Sequence, residues 1–254
     1  MSRLSTKRAA RSLPVGFEVI SQTEIYIDRK TQKEKRRPAV TENEIARRLI
    51  QQAIKNEVPF EFVLFDSWFA AAENMKFIKG ENRRDFICPL KSNRKVALSM
   101  EDKLRGRFQA VATLSPEPNT VREIYLEGVE FPLTLGKQIF TNEDGGTGVL
   151  YSVSSERAID DDRLTISYQR RWQVECFHKS LKQNVSLSKS PTQTERTQQN
   201  HLFAALGGYA RLEMLKVETK LNHYCLEIKI VSQCITFGIF NSAATEPDSV
   251  CCVR

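Results

Sequence analysis

Apolar and polar positions alternate through LPVGFEVISQTEIYID, from Leu13 to Asp28, a period of two that predicts a pair of strands. The stretch DRKTQKEKRRP after them is polar and strongly basic and predicts a turn or loop. A period near that of a helix then takes over. Ile45, Leu49, Ala53 and Ile54 share one face, Thr41 and Glu44 stand at capping-box spacing, and Pro59 closes the segment. Phe60 to Phe65, FEFVLF, is a continuous apolar run of the kind a strand buried on both faces needs, and it stops at Asp66. A helix from about Ser67 to Lys79 with Gly80 as its stop, then a strand at DFICPL, follow. The basic segment Lys91 to Lys95, KSNRK, leaves the end of that strand.

Between about Val96 and Ser155, Val, Thr, Tyr and Phe alternate with polar residues between turn signals at SPEPN, EGVE and NEDGG, which predicts an all-β insertion. Helical periodicity resumes in DDDRLTISYQRRWQVECFHKSLKQ, whose acidic start and basic end suit the helix dipole, and again over Asn200 to Thr219. After Val231 no period survives. The chain thus divides into a basic start (1–12), a first α/β part (13–95), a β-rich insertion (96–157), a helical remainder (158–231) and an irregular tail (232–254).

Composition changes this picture little. At 254 residues, 41% hydrophobic and 27% charged, the chain can bury a sizeable core, and no apolar run approaches the ~20 residues of a membrane helix. MSRLSTKRAAR is basic but leads into no apolar signal core, so a cytoplasmic location is expected. Cys88, Cys176, Cys225, Cys234, Cys251 and Cys252 show neither zinc-ligand spacing nor a compact disulfide framework and read as reduced thiols. A formal charge of +7 favours polyanionic partners without identifying one.

Chemistry concentrates in Tyr168, Arg171, Glu175 and Lys182. On one continuous helix at about 100° per residue these fall near 0°, −60°, −20° and −40°, a single polar stripe. Ile166, Val174, Phe177 and Leu181 fall on the opposite side and form an apolar back. A carboxylate with a cation one turn before and others one and two turns after it could hold a metal ion while the cations hold phosphate. Equally, such a face could be solvated and laced by i,i+4 ion pairs.

The string Y-x2-R-x3-E-x6-K resembles the signature of a large group of insertion-sequence transposases of the DDE class. FVLFDSWFAAAENMKFI is similar to that family's second-aspartate region, KSNRKVALS to the basic stretch after it, and SLKQNVSLSKSPTQT to the region past the glutamate. The resemblance spans about Leu13 to Leu226. It implies an α/β, RNase-H-like fold, a mixed sheet flanked by helices, with the β insertion lying between the second catalytic aspartate and the glutamate. It further implies Asp66 and Glu175 as catalytic, metal-holding acids and two Mg²⁺ or Mn²⁺ ions for cutting and joining DNA. Tyr168, Arg171 and Lys182, together with Lys91, Arg94 and Lys95, would contact DNA, both transposon ends and target. A homodimer, or a heterodimer with an intact transposase, and a bacterial, nucleoid-associated location are expected partners and place.

The pattern breaks at one point. In this family the first catalytic aspartate lies on a strand just before the hairpin that LPVGFEVI begins, and MSRLSTKRAARS contains no acid. A chain truncated there, with its first strand missing, is expected to be impaired in strand cleavage. The alternatives are an inactive DNA-binding remnant that inhibits intact transposase or has no role, and a metal-dependent nuclease. Asp28 is a poor replacement acid, being in a turn. His178 and His201 read as ordinary helix residues, and Asp85, Asp144, Asp160, Asp161 and Asp162 as turn and cap acids. The family also stacks a displaced base on an aromatic residue of the insertion; Phe108, Tyr125, Phe131 and Phe140 are available there, while Trp68 and Trp172 lie outside it.

Overall fold

A computed structural model describes residues 13–114, 117–141, 145–190 and 194–226. The irregular tail and the basic start lie outside them, as does Asp144. The described residues form two compact units: Gly16–Gln173, and those from Val174 onward together with residues 13–15.

The first unit is built on a seven-stranded mixed sheet in the order β3-β4-β9-β8-β7-β5-β6. Its strands are β3 (Phe62–Leu64), β4 (Asp85–Leu90), β5 (Lys95–Ala97), β6 (Gln109–Ala110), β7 (Val121–Leu126), β8 (Leu133–Thr141) and β9 (Thr147–Ser154). β3 and β4 run parallel, Phe62 opposite Asp85 and Leu64 opposite Ile87; the other pairs are antiparallel. The insertion strands therefore extend the same sheet, because β9 pairs directly with β4. The insertion also holds a short helix, α3 (Met100–Leu104), capped by Ser99, and a 3₁₀ turn at Val111–Leu114. β3 is half-buried, short of the two-sided burial its apolar run predicts, because it forms an edge of the described sheet.

Side chains of β4 alternate between two cores, as the period-two geometry of a strand requires. Phe86, Cys88 and Leu90 join Met75, Ile78, Leu126, Leu133 and Val153 on one face. Ile87 meets Ile159 and Leu164 on the other, with Phe62, Leu64 and Tyr168 against them. Met75 ends α2 (Ala72–Met75) and Ile78 lies in the π-helix that continues it, Lys76–Glu81. Gly80 is thus inside a helical segment rather than its stop. The chain leaves the helix at Asn82, whose amide donates to the Phe77 carbonyl at 2.8 Å, and turns at Arg83 with φ +53°. α1 (Glu42–Lys55) has the predicted capping box, Thr41 and Glu44 satisfying each other's backbone N–H.

The N-terminal pattern resolves differently from its prediction. Only Glu24–Ile27 (β1) is a strand within Leu13–Asp28, and its partner is Glu34–Arg37 (β2), inside the basic stretch expected to be loop. Alternation alone could not reveal this, since β2 reads EKRR and every residue of both strands is exposed.

The predicted single helix through the signature is two. α4 (Asp161–Gln169) ends where the N–H of Arg170 and Arg171 turn back to Ser167 and Tyr168, three residues earlier, and α5 (Trp172–Gln183) begins. The reason lies in what each half buries. Leu164 of α4 is fully buried against β4, β8 and β9, whereas α5 buries Leu181 and packs Phe177 edge-on against Tyr209 at 4.8 Å. At about 100° per residue those two apolar faces would point in opposite directions on one straight helix. Ile166 and Val174, assigned to a shared apolar back, are accordingly exposed.

In the second unit, α5 from Val174 onward packs with α6 (Glu195–Thr219) through Leu181, Ala205 and Tyr209. A buried polar network crosses it. His223 Nδ1 lies 2.8 Å from Ser180 Oγ and its Nε2 3.3 Å from the Glu213 carboxylate, which also receives Tyr209 Oη and Lys216 Nζ. Among the described residues no helix is long and apolar enough to cross a membrane.

Candidate nucleic-acid interface

Asp66 stands two residues beyond β3, at the carboxyl end of the parallel β3–β4 pair, where rigid backbone presents side chains to ligands in open α/β sheets. Its Oδ1 accepts the N–H of Trp68 at 2.9 Å and of Phe69 at 3.4 Å, which fixes the carboxylate. Trp68 is itself exposed and donates its indole N–H to Glu42 at 2.7 Å. Lys91 leaves the same end of β4, so the acid and the basic turn share one edge of the sheet. Lys91 and Lys95 are exposed; Arg94 is half-buried with a buried Nε that finds no partner among the described residues.

α4 brings the first half of the signature to this edge. Its start is capped by Asp160, which accepts the Arg163 N–H at 2.7 Å. Arg163 then pairs with Glu156 at 3.0 Å and with Glu61, tying the helix to the strand that carries Asp66. Gly136 of β8 allows the closest approach: a Cβ there would sit 2.6 Å from Leu164 Cδ2. Tyr168, expected on a polar working face, is instead half-buried against the cluster of Ile87, Ile159 and Leu164. Burial raises its phenol above the ordinary range; Arg171 opposes the rise through charge and a hydrogen bond, and the Asp66 carboxylate adds a little to it. Tyr168 thus stands close enough to Arg171 and to Asp66 to feel the charge of each. The Arg171 guanidinium lies 5.8 Å from the Tyr168 ring centroid, a cation–π distance that holds it in place. Burial likewise pushes the Cys88 thiol far up, so it is no nucleophile.

A pocket of about 440 Å³ opens beside these groups, lined by Gln138, Leu150, Tyr168, Gln169, Arg171 and Trp172. It combines an exposed indole, two amides and a guanidinium. The residues Gln138, Leu150 and Trp172 were not singled out for it by sequence, although Trp172 adjoins Arg171. The insertion's aromatics have other duties. Phe131 packs on Phe86, Tyr125 donates to Glu123 beneath Lys103, and the Phe140 ring covers Gly148 across the β8–β9 pair.

Glu175 and Lys182 belong to the second unit, exposed and two turns apart on α5. Asp28 is engaged in its own turn, accepting from Lys30 and Thr31 N–H and pairing with Lys35, and these donors, Lys35 foremost, hold its carboxyl below the usual range. Among the described residues no three His, Cys, Asp or Glu side chains gather into a group that could hold a metal ion.

A family model described as a transposase DDE domain matches residues 36–210, well over half of the chain. No curated protein matches it.

Proposed function

Because the chain belongs to the family of transposases with a DDE domain, we propose that it grips DNA at the carboxyl edge of its sheet and that its own strand cleavage is impaired. The observation that carries this reading is the Arg171 guanidinium held 5.8 Å from the Tyr168 ring centroid in the wall of an amphipathic pocket. Arg171, oriented by the Tyr168 ring, is suited to a backbone phosphate. The pocket is wide enough for one unstacked nucleotide, with Trp172 as a stacking face and the Gln138 and Gln169 amides at the base edge. Lys91 and Lys95 extend the positive edge, and Arg94 orders the turn between them through its carbonyl, which accepts the Val111 N–H.

Asp66 and Glu175 are the carboxylates that would hold Mg²⁺ or Mn²⁺, the ions that stabilise attacking and leaving oxygens in this class of chemistry. Lys182 would contact the DNA backbone from α5. Two acids with no third joining them among the described residues leave cation position loosely defined, and a small misplacement relative to the scissile phosphate costs orders of magnitude in rate. Dimerisation, with itself or with an intact relative, would then make the chain a competitor for transposon ends rather than an efficient transposase.

The test compares binding and cutting of donor DNA by the full chain with Mg²⁺ or Mn²⁺ present. Salt-sensitive binding with no cleavage above that of Glu175→Ala is the expected result. Metal-dependent strand transfer abolished by Glu175→Ala would overturn the impairment, and absence of DNA binding would overturn the reading as a whole.

A further inference from the structure

The hairpin β1–β2 is a two-stranded ribbon whose strands pair only with each other among the described residues, exposed on both faces. Such a ribbon is marginal in water on its own. Here it is braced internally. At the tip, Asp28 accepts two backbone N–H groups and pairs with Lys35. Along one face Arg37 bonds Glu24 at 2.9 Å and lies 5.6 Å from the Tyr26 ring centroid.

After those pairings, Arg29, Lys30, Lys33 and Arg36 remain without an anionic partner among the described residues. Three sit on the tip and Arg36 on a strand, opposite Ile25, so that they line the end and one face of the ribbon. Ile25 and Ile27 on that same face are more than 60% exposed. An exposed ribbon with these four cations around a narrow apolar strip, against the single carboxylate of Glu34 opposite Ile27, matches duplex DNA in width and net charge. The major groove admits a two-stranded β-ribbon, phosphates flank it on both sides, and thymine methyls lie on its floor.

We propose that the β1–β2 ribbon is a second DNA contact, seated in a groove of the duplex with Arg29, Lys30, Lys33 and Arg36 on phosphates. This rests on the reading of the chain as DNA-binding and adds a surface separate from the Tyr168–Arg171 edge. It gives the ribbon the support that its isolated position otherwise lacks.

The test measures duplex DNA affinity of the full chain across a series of salt concentrations. The variant combines Arg29→Ala, Lys30→Ala, Lys33→Ala and Arg36→Ala. Its charge-matched control combines Lys55→Ala, Arg105→Ala, Arg107→Ala and Arg122→Ala, all exposed positions away from the ribbon. Each lost phosphate contact removes about 0.9 from the slope of log K against log salt, so the ribbon variant, losing four, is expected to lose about 3.6 and to bind at least roughly tenfold more weakly. The control is expected to change slope by less than about 1. A third variant, Arg29→Lys with Arg36→Lys, keeps charge and is expected to retain most of the affinity. Equal slopes in ribbon variant and control overturn the proposal while leaving DNA binding intact. A wild-type chain that binds no duplex overturns both readings together. Loss of dimers in the ribbon variant by light scattering, with its slope unchanged, would assign the ribbon to a second copy instead.

Discussion

α4 and α5 carry one signature in two different ways. Tyr168 and Arg171 sit at the end of a helix whose Leu164 is fully buried against the sheet, and Tyr168 itself is half-buried. Glu175 and Lys182 project from exposed positions of a helix that packs through Phe177 and Leu181 against α6. The first pair is thus fixed by core packing, while the second stands on exposed positions of its helix. Groups that must hold a phosphate in register benefit from the first arrangement, because a locked rotamer loses less entropy on binding.

That contrast breaks most visibly under α4. Leu164→Ala empties a site that is fully buried and is expected to cost about 2–5 kcal/mol, read as a lower midpoint in denaturant unfolding. Gly136→Ala should follow at about 1–3 kcal/mol, since its methyl would meet Leu164 at a distance real contacts do not reach. An unchanged midpoint for both would show that α4 is not seated on β8 as described.

The second unit should reveal itself by pH. Burial, the largest influence, lowers the pKa of His223 below its ordinary 6.5; the Glu213 carboxylate partly opposes this and Lys216 reinforces it. The folded chain therefore resists the proton that the unfolded chain accepts. Stability contributed by neutral His223 is present above the unfolded value and is lost as pH falls from about 6.5 toward the folded value. Thermal unfolding followed from pH 8 to 5 should show this loss, and His223→Gln should flatten it; an equal slope in the variant would rule out His223 as its source. The smallest effect belongs to Lys182→Ala, expected within about 0.5 kcal/mol of wild type in stability, because the side chain is exposed.

What could be read from sequence follows the same division. Regular periods over buried surfaces were legible: α1 with its capping box, the DFICPL strand, α6 and the strand-rich insertion all stand where their patterns put them, within a residue or a few. Asp66 was legible as an acid at a strand's end because an apolar run stops abruptly there. The break at Arg170–Arg171 was not, since helix propensity is continuous across it and only the existence of two cores on opposite sides of an ideal helix forces the turn. Nor was β2 legible, because its four side chains are all charged and give no apolar alternation to mark a strand. The pocket beside Tyr168 draws residues from β8, β9 and the α4–α5 turn, positions that meet only through the sheet's register.

The central claim is that the anchored half of the signature holds DNA, and the most direct test is the affinity of Arg171→Ala for duplex DNA at several salt concentrations. The account predicts binding about tenfold weaker or more, a salt slope shallower by about 1, and an unfolding midpoint close to wild type. Binding as tight as wild type with the same salt slope would contradict it.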